Sequence, residues 1–155
     1  MARFTRRSWI DAPLDTVWEF HSKIEGLTAL TPSLAGLEVE ALRVPDDGDK
    51  LIEGSEIDLS VGPIPGGPRQ QFTSVIVKRD RTETEATFVD EMRDGPMERW
   101  RHEHRFVADD GGTVLIDEIN YETGFGPTID RLLNGGFAVA FWYRHRKTRE
   151  KLASA

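Results

Sequence analysis

The sequence predicts an α+β domain in which an antiparallel sheet curls round a long C-terminal helix and keeps a ligand cavity between them. Three observations carry this reading. Six short alternating runs lie between residues 37 and 122, separated by turn-forming residues. Helical patterning is confined to the stretches before and after that block, which is how the α+β class segregates its elements. The last helical stretch, residues 127–152, is long and apolar enough to cover one face of the sheet.

Residues 4–10 alternate weakly and carry Phe4, Thr5, Trp9 and Ile10, the pattern of a first strand. Asp11 suits a helix cap, and Pro13 fits a first helical turn, where its missing N–H is not needed. Leu14, Val17, Trp18 and His21 then follow at helical spacing, so residues 13–23 form an amphipathic helix. A second short helix is expected at residues 25–30. Thr31-Pro32 ends it, because the residue before proline avoids the α region.

The six runs cover residues 37–44, 55–61, 70–78, 84–92, 97–107 and 113–122. Clusters such as Arg79-Asp80-Arg81-Thr82, Asp94-Gly95-Pro96 and Asp109-Asp110-Gly111-Gly112 separate them. These links are hairpin-like and too short for helical crossovers, so the neighbours are antiparallel. With the first strand the sheet has seven. Its twist curls it round the final helix. On that helix Ile129, Leu132, Leu133, Phe137, Ala140, Phe141 and Arg144 share one stripe. It spans ~38 Å if continuous. Gly135-Gly136 interrupts it, each glycine costing about 1 kcal/mol against alanine, and marks a kink, a break or a close backbone approach.

Composition narrows the function classes. The 155 residues fit one domain, residues 1–155, with a core of its own. The absence of cysteine rules out disulfides and thiolate metal sites. A net charge of −7 disfavours nucleic acid as a partner. No apolar run approaches the ~20 residues of a membrane span. The charged start, Met1 to Arg7, has no apolar stretch behind it and does not read as a signal peptide. The cytoplasm is the expected location.

The run 97–107 carries the clearest functional signal. Side chains alternate faces along a strand. Arg99, Arg101, Glu103 and Arg105 must face water, so Trp100, His102, His104 and Phe106 point inward, provided no bulge intervenes. The two histidines then lie roughly 6.5–7 Å apart along the strand. They can be hydrogen-bonded wall residues, with Asp117 and Asp90 on the flanking strands as partners. They can orient a ligand's polar group in an apolar pocket. They can also do chemistry: His102 or His104 abstracting an α-proton, with Asp117 orienting the ring. A His-x-His pair plus a carboxylate would suit zinc, but no third ligand stands out, and neither metal nor cofactor is expected. Trp18, Phe88, Met92, Tyr121, Phe137 and Phe141 are candidates for the cavity lining, each with ordinary core packing as its alternative.

Three further features carry less. The basic helix end Arg144-His145-Arg146-Lys147-Thr148-Arg149-Glu150-Lys151 complements the dipole of a helix C-terminus, with an anionic surface or partner as the alternative. Gly62-Pro63-Ile64-Pro65-Gly66-Gly67-Pro68 is a stiff turn or a lid at a pocket mouth, and lacks the lysine of a phosphate loop. Asp46-Asp47-Gly48-Asp49 is too short for a calcium loop.

Element order and local motifs together resemble the helix-grip fold of the START-like, birch-pollen-allergen-like superfamily, also called SRPBCC. Phe88-Val89-Asp90-Glu91, Gly95-Pro96 and Trp100-Arg101-His102-Glu103-His104-Arg105-Phe106 resemble its polyketide cyclase/dehydrase-like branch. So does Phe141-Trp142-Tyr143-Arg144-His145-Arg146 on the last helix. The resemblance implies an internal hydrophobic cavity for lipids, polyketides or other small apolar molecules. It implies no single chemistry, and the branch has no universal catalytic motif to carry over. The expected function is binding of a small apolar ligand over a polar floor of His102, His104 and Asp117, walled by Trp18, Phe88 and Trp100. A cyclase, aromatase or dehydratase using the same histidines is the alternative. A protein-interaction module with a closed cavity is a third. Oligomeric state stays open.

Overall fold

The chain runs β1 (Ala2–Ile10), α1 (Leu14–Ser22), β2 (Leu37–Arg43), β3 (Glu56–Val61), β4 (Gln70–Arg81), β5 (Glu85–Arg93), β6 (Arg99–Asp109), β7 (Gly112–Glu122) and α2 (Pro127–Leu152). The computed structural model describes residues 1–23, 26, 29–30, 37–46, 48, 50–62 and 67–152. All seven strands join one antiparallel sheet in the order β1-β7-β6-β5-β4-β3-β2. The six later strands form a meander, and β1 closes its far side by pairing with β7. This is the expected α+β, helix-grip architecture.

Some boundaries differ, for local reasons. Pro13 is the N-cap of α1 with extended backbone, φ −66° and ψ 156°, so the helix begins one residue later than its sequence suggests. Arg79-Asp80-Arg81, expected as a turn, extends β4 opposite Phe88, Thr87 and Ala86. The Arg79 guanidinium lies over the Trp18 ring, 4.2 Å from its centroid, so its charge finds an aromatic face there. Of the second short helix, residues 26, 29 and 30 are helical, and the rest lies outside the described residues. The lid candidate Ile64, with residues 63–66, and residues 47 and 49 of the acidic turn also lie outside them.

α2 is continuous through Gly135-Gly136. A Cβ at either glycine would meet nothing within 4 Å, so neither a break nor a close backbone approach explains the pair. The stripe keeps Leu133, Phe137, Ala140 and Phe141 on the inner face, as predicted, and departs from the prediction at its start. Ile129 and Leu132 are exposed, while Phe141, His145 and Thr148 are buried. At its start α2 is tied to β7: Asp130 Oδ1 accepts from the Thr123 amide at 3.0 Å, and the Tyr121 hydroxyl donates to Asp130 O.

Among the described residues the interior holds three apolar clusters. One packs α1 on the sheet through Val17, Trp18, Phe88 and Phe106. A second joins Leu51, Ile57, Leu59 and Ile76. A third sets Phe141 of α2 against Ile119 and Tyr121 of β7. No helix among the described residues is long and apolar enough to cross a membrane.

Candidate functional site

A cavity of about 450 Å³ lies where the three clusters fail to meet, and each contributes to its wall: Phe88 from the first, Ile57, Leu59 and Ile76 from the second, Phe141 from the third. Strands β3 to β6 form one side, and α2 supplies Leu133, Phe137, Ala140, Phe141 and Arg144 on the other. The volume falls within the ~300–1,000 Å³ of small-molecule sites.

The polar side of this wall is set by the register of β6. Asp110 and Gly111 form the two-residue turn into β7, with φ of 50° and 78°. Both angles are left-handed, as a type I′ hairpin turn requires, which is why an Asp-Gly pair stands there. From that turn β6 pairs with β7, and on its other side with β5, without a register shift. Asp90 is opposite His102, and His104 is opposite Asp117. Opposite residues share a face, so two carboxylates flank two imidazoles on the inward side.

The side chains complete the pattern. His102 Nε2 lies 2.7 Å from Asp117 Oδ1, and His104 Nε2 lies 2.8 Å from Asp90 Oδ2. His102 Nδ1 is 3.5 Å from Asp90, and His104 Nδ1 is 3.1 Å from Asp117 Oδ1 as an ion-pair contact outside hydrogen-bond geometry. The rings lean together, their centroids 3.6 Å apart, closer than the strand spacing alone suggests. Phe88 stacks on His104 at 3.9 Å. The Trp100 indole N–H points to Asp90 Oδ1 at 3.3 Å.

A third imidazole joins from α2. His145 Nε2 lies 2.6 Å from Asp117 Oδ2, and its Nδ1 lies 2.8 Å from Ser8 Oγ on β1. His145 is buried, so it does not belong to the solvated basic face its neighbours suggested. The missed signal was spacing: His145 stands four residues after Phe141 and three before buried Thr148, on a continuation of the apolar stripe.

Charge in this cluster follows from its geometry. Burial alone would raise the Asp117 carboxyl, but close contacts with His102, His104 and His145 hold it well below the usual carboxylate range. Asp90 is likewise lowered against burial by His102 and His104. Burial also acts against His104, yet contacts with Asp117 and Asp90 raise it above an ordinary histidine. Burial and the neighbouring His104 lower His102. The pair therefore splits, with His104 the more readily charged and His102 the more readily neutral.

Among the sequence candidates, Phe88, Asp90, Met92, Trp100, His102, His104, Phe137 and Phe141 line the cavity. Asp117 stands behind the histidines, 1% exposed, and anchors them without reaching the cavity surface. Trp18 packs against Phe88 and Phe106 in the core, and Tyr121 is buried under α2. His21 at the end of α1 and Arg144 on α2 also line the cavity. Neither was singled out for it: His21 sat on an apolar helix face and Arg144 in a basic run. Asp90, His102 and His104 each bring one ligand atom within 4.8 Å of the others, a set able to hold a metal ion with Asp90 as the third donor.

The family described as "Polyketide cyclase / dehydrase and lipid transport" matches residues 10–141. No curated protein sequence matches the chain. Solved structures share the fold. Protein TTHA0849 from Thermus thermophilus is 18% identical, with 99% of this chain and 100% of that one covered and a TM-score of 0.65. A point mutant of norcoclaurine synthase from Thalictrum flavum, bound to a transition-state analogue, is 16% identical, with 97% and 93% covered and a TM-score of 0.63. The di-domain ARO/CYC StfQ of the steffimycin biosynthetic pathway is 15% identical, with 97% of this chain and 50% of that one covered and a TM-score of 0.67.

Proposed function

Because the chain belongs to the polyketide cyclase / dehydrase and lipid transport family, which supports ligand binding or cyclase chemistry in general, we propose that it binds a small, mostly apolar molecule between the sheet and α2. The observation that carries this is the cavity itself: about 450 Å³, walled by three apolar clusters, with a few polar groups that include Asp90, His102 and His104. A pocket that is largely apolar with a few convergent polar groups is the common form of a small-molecule site. The third reading, an interaction module, predicts a closed and filled cavity, and the volume between sheet and helix favours ligand binding over it.

A second reading has one observation in its favour. His102 and His104 face the cavity, and each is held by a carboxylate, as an acid–base pair would be. Two structural neighbours carry names of enzymes, norcoclaurine synthase and an ARO/CYC protein. Against it, both Nε2 atoms are engaged by carboxylates, so the rings are better placed to hold the wall than to reach a substrate. Native mass spectrometry of freshly purified protein separates the readings. Binding predicts a non-covalent adduct that is lost on denaturation. Incubation with a linear polyketone should then give an adduct of unchanged mass, whereas aldol closure and dehydration would release a product lighter by one water. A bare protein mass in every preparation, with no adduct of any added apolar compound, would refute both.

A further inference from the structure

Three buried polar atoms lack a hydrogen-bond partner among the described residues: Arg6 Nε, His104 Nδ1 and His21 Nε2. Arg6 does not line the cavity. His104 Nδ1 has the Asp117 carboxylate beside it at 3.1 Å. His21 Nε2 is the remaining case, on a cavity-lining ring that is only 5% exposed.

The chemistry of that atom is determined by the other side of the ring. His21 Nδ1–H donates to Val17 O at 2.9 Å, one helical turn back. A neutral imidazole that donates from Nδ1 has a bare lone pair at Nε2. Burial first, and then the nearby Arg144 guanidinium, push the His21 pKa down to about 3, so the ring stays neutral. A ring that lines the cavity thus carries a buried acceptor with nothing among the described residues to accept from, an unfavourable arrangement unless a ligand completes it.

Arg144 faces the same space from α2. Its guanidinium has neither an ion pair nor a hydrogen bond among the described residues. The cavity's other titratable groups, Asp90, His102 and His104, are committed to one another and to Asp117. The titratable groups left to meet a ligand are therefore an acceptor and a cationic donor, on two different helices.

We propose that His21 and Arg144 together recognise a hydroxyl, of phenol or enol type, on an otherwise apolar ligand, with its O–H donating to His21 Nε2 and its oxygen accepting from Arg144. This rests on the cavity-binding reading and names the ligand class for it. A carboxylate or ketone can accept from Arg144 but has no hydrogen for His21. An ammonium group can donate to His21 but meets Arg144 as a like charge. A hydroxyl satisfies both, and the acidity of a phenol or enol suits it to a guanidinium partner.

Fluorescence titration with three probes of one size tests the assignment: 2-naphthol, its isostere 2-methylnaphthalene, and 2-naphthoate. 2-Naphthol should bind about tenfold more tightly than 2-methylnaphthalene, the effect of a buried hydrogen bond to a charged group. It should also bind more tightly than 2-naphthoate. The preference for 2-naphthol over 2-methylnaphthalene should fall towards unity in Arg144→Met and in His21→Phe. Arg144 is half-buried on a helix surface, and the wild-type comparison alone already decides the matter if His21→Phe misfolds. Equal binding of 2-naphthol and 2-methylnaphthalene, or tightest binding of 2-naphthoate, overturns the hydroxyl assignment while leaving cavity binding intact. Failure of all three probes to bind refutes the cavity-binding reading with it.

Discussion

Asp117 meets three imidazoles at once, and its burial at 1% exposure makes them obligatory partners. A buried carboxylate without compensation is strongly unfavourable, and removing either side of such a pairing leaves the other stranded. Asp117→Asn should therefore destabilise the fold by about 3 kcal/mol at pH 7, read as a lower urea midpoint with an unchanged m-value. The pH dependence has a definite sign. The folded pKa of Asp117 lies below its ordinary value of 3.8, so its stabilisation is complete above that pH and is lost as pH falls towards the folded value. The gap between wild type and Asp117→Asn should therefore narrow in acid. The inward pair His102 and His104 was legible because four charged residues alternate with them. Asp117 and Asp90 were legible as flanking partners. His145 was not, because Arg144, Arg146 and Lys147 around it describe a solvated face, and only the docking of α2 onto β1 and β7 turns that ring inward.

α2 illustrates how an element can be legible in extent and only partly legible in its buried side. Its bounds follow from Pro127 and the apolar spacing, and they stand. Its buried side does not follow from hydrophobicity alone, since Leu132 is exposed while Asp130, His145 and Thr148 are buried. Polar anchors extend the apolar stripe at both ends: Asp130 meets Thr123 at one, and His145 meets Asp117 and Ser8 towards the other. The Gly135-Gly136 pair lies between these anchors on the exposed side, with open space around each built Cβ. Alanine should then act through helix propensity alone. Gly135→Ala is expected to stabilise the protein by about 1 kcal/mol, measurable as a raised urea midpoint. A loss of stability would reveal a close approach that the helix packing does not contain. The strands were legible with less ambiguity, because turn residues and period-two alternation agree at each hairpin. Arg79-Asp80-Arg81 is the exception, where charge mimicked a turn and pairing with β5 prevailed.

At the scale of the whole molecule, the sheet and α2 enclose more space than their side chains fill. Three clusters form where β1, β3 and β7 meet their neighbours, and the cavity is the volume between them. Sequence patterning identifies which residues turn inward but not whether facing walls touch, so Trp18, Tyr121 and Phe88 looked alike as lining candidates. Only Phe88 of the three reaches the cavity. The outer face of α2 meanwhile exposes Leu132 and Val139, a competing place for an apolar molecule to settle. The measurement that decides between inside and outside is a set of intermolecular NOEs from 2-methylnaphthalene to methyl-labelled protein. The account predicts NOEs to Ile57, Leu59 and Ile76 and none to Leu132 or Val139. NOEs confined to Leu132 and Val139 would contradict it.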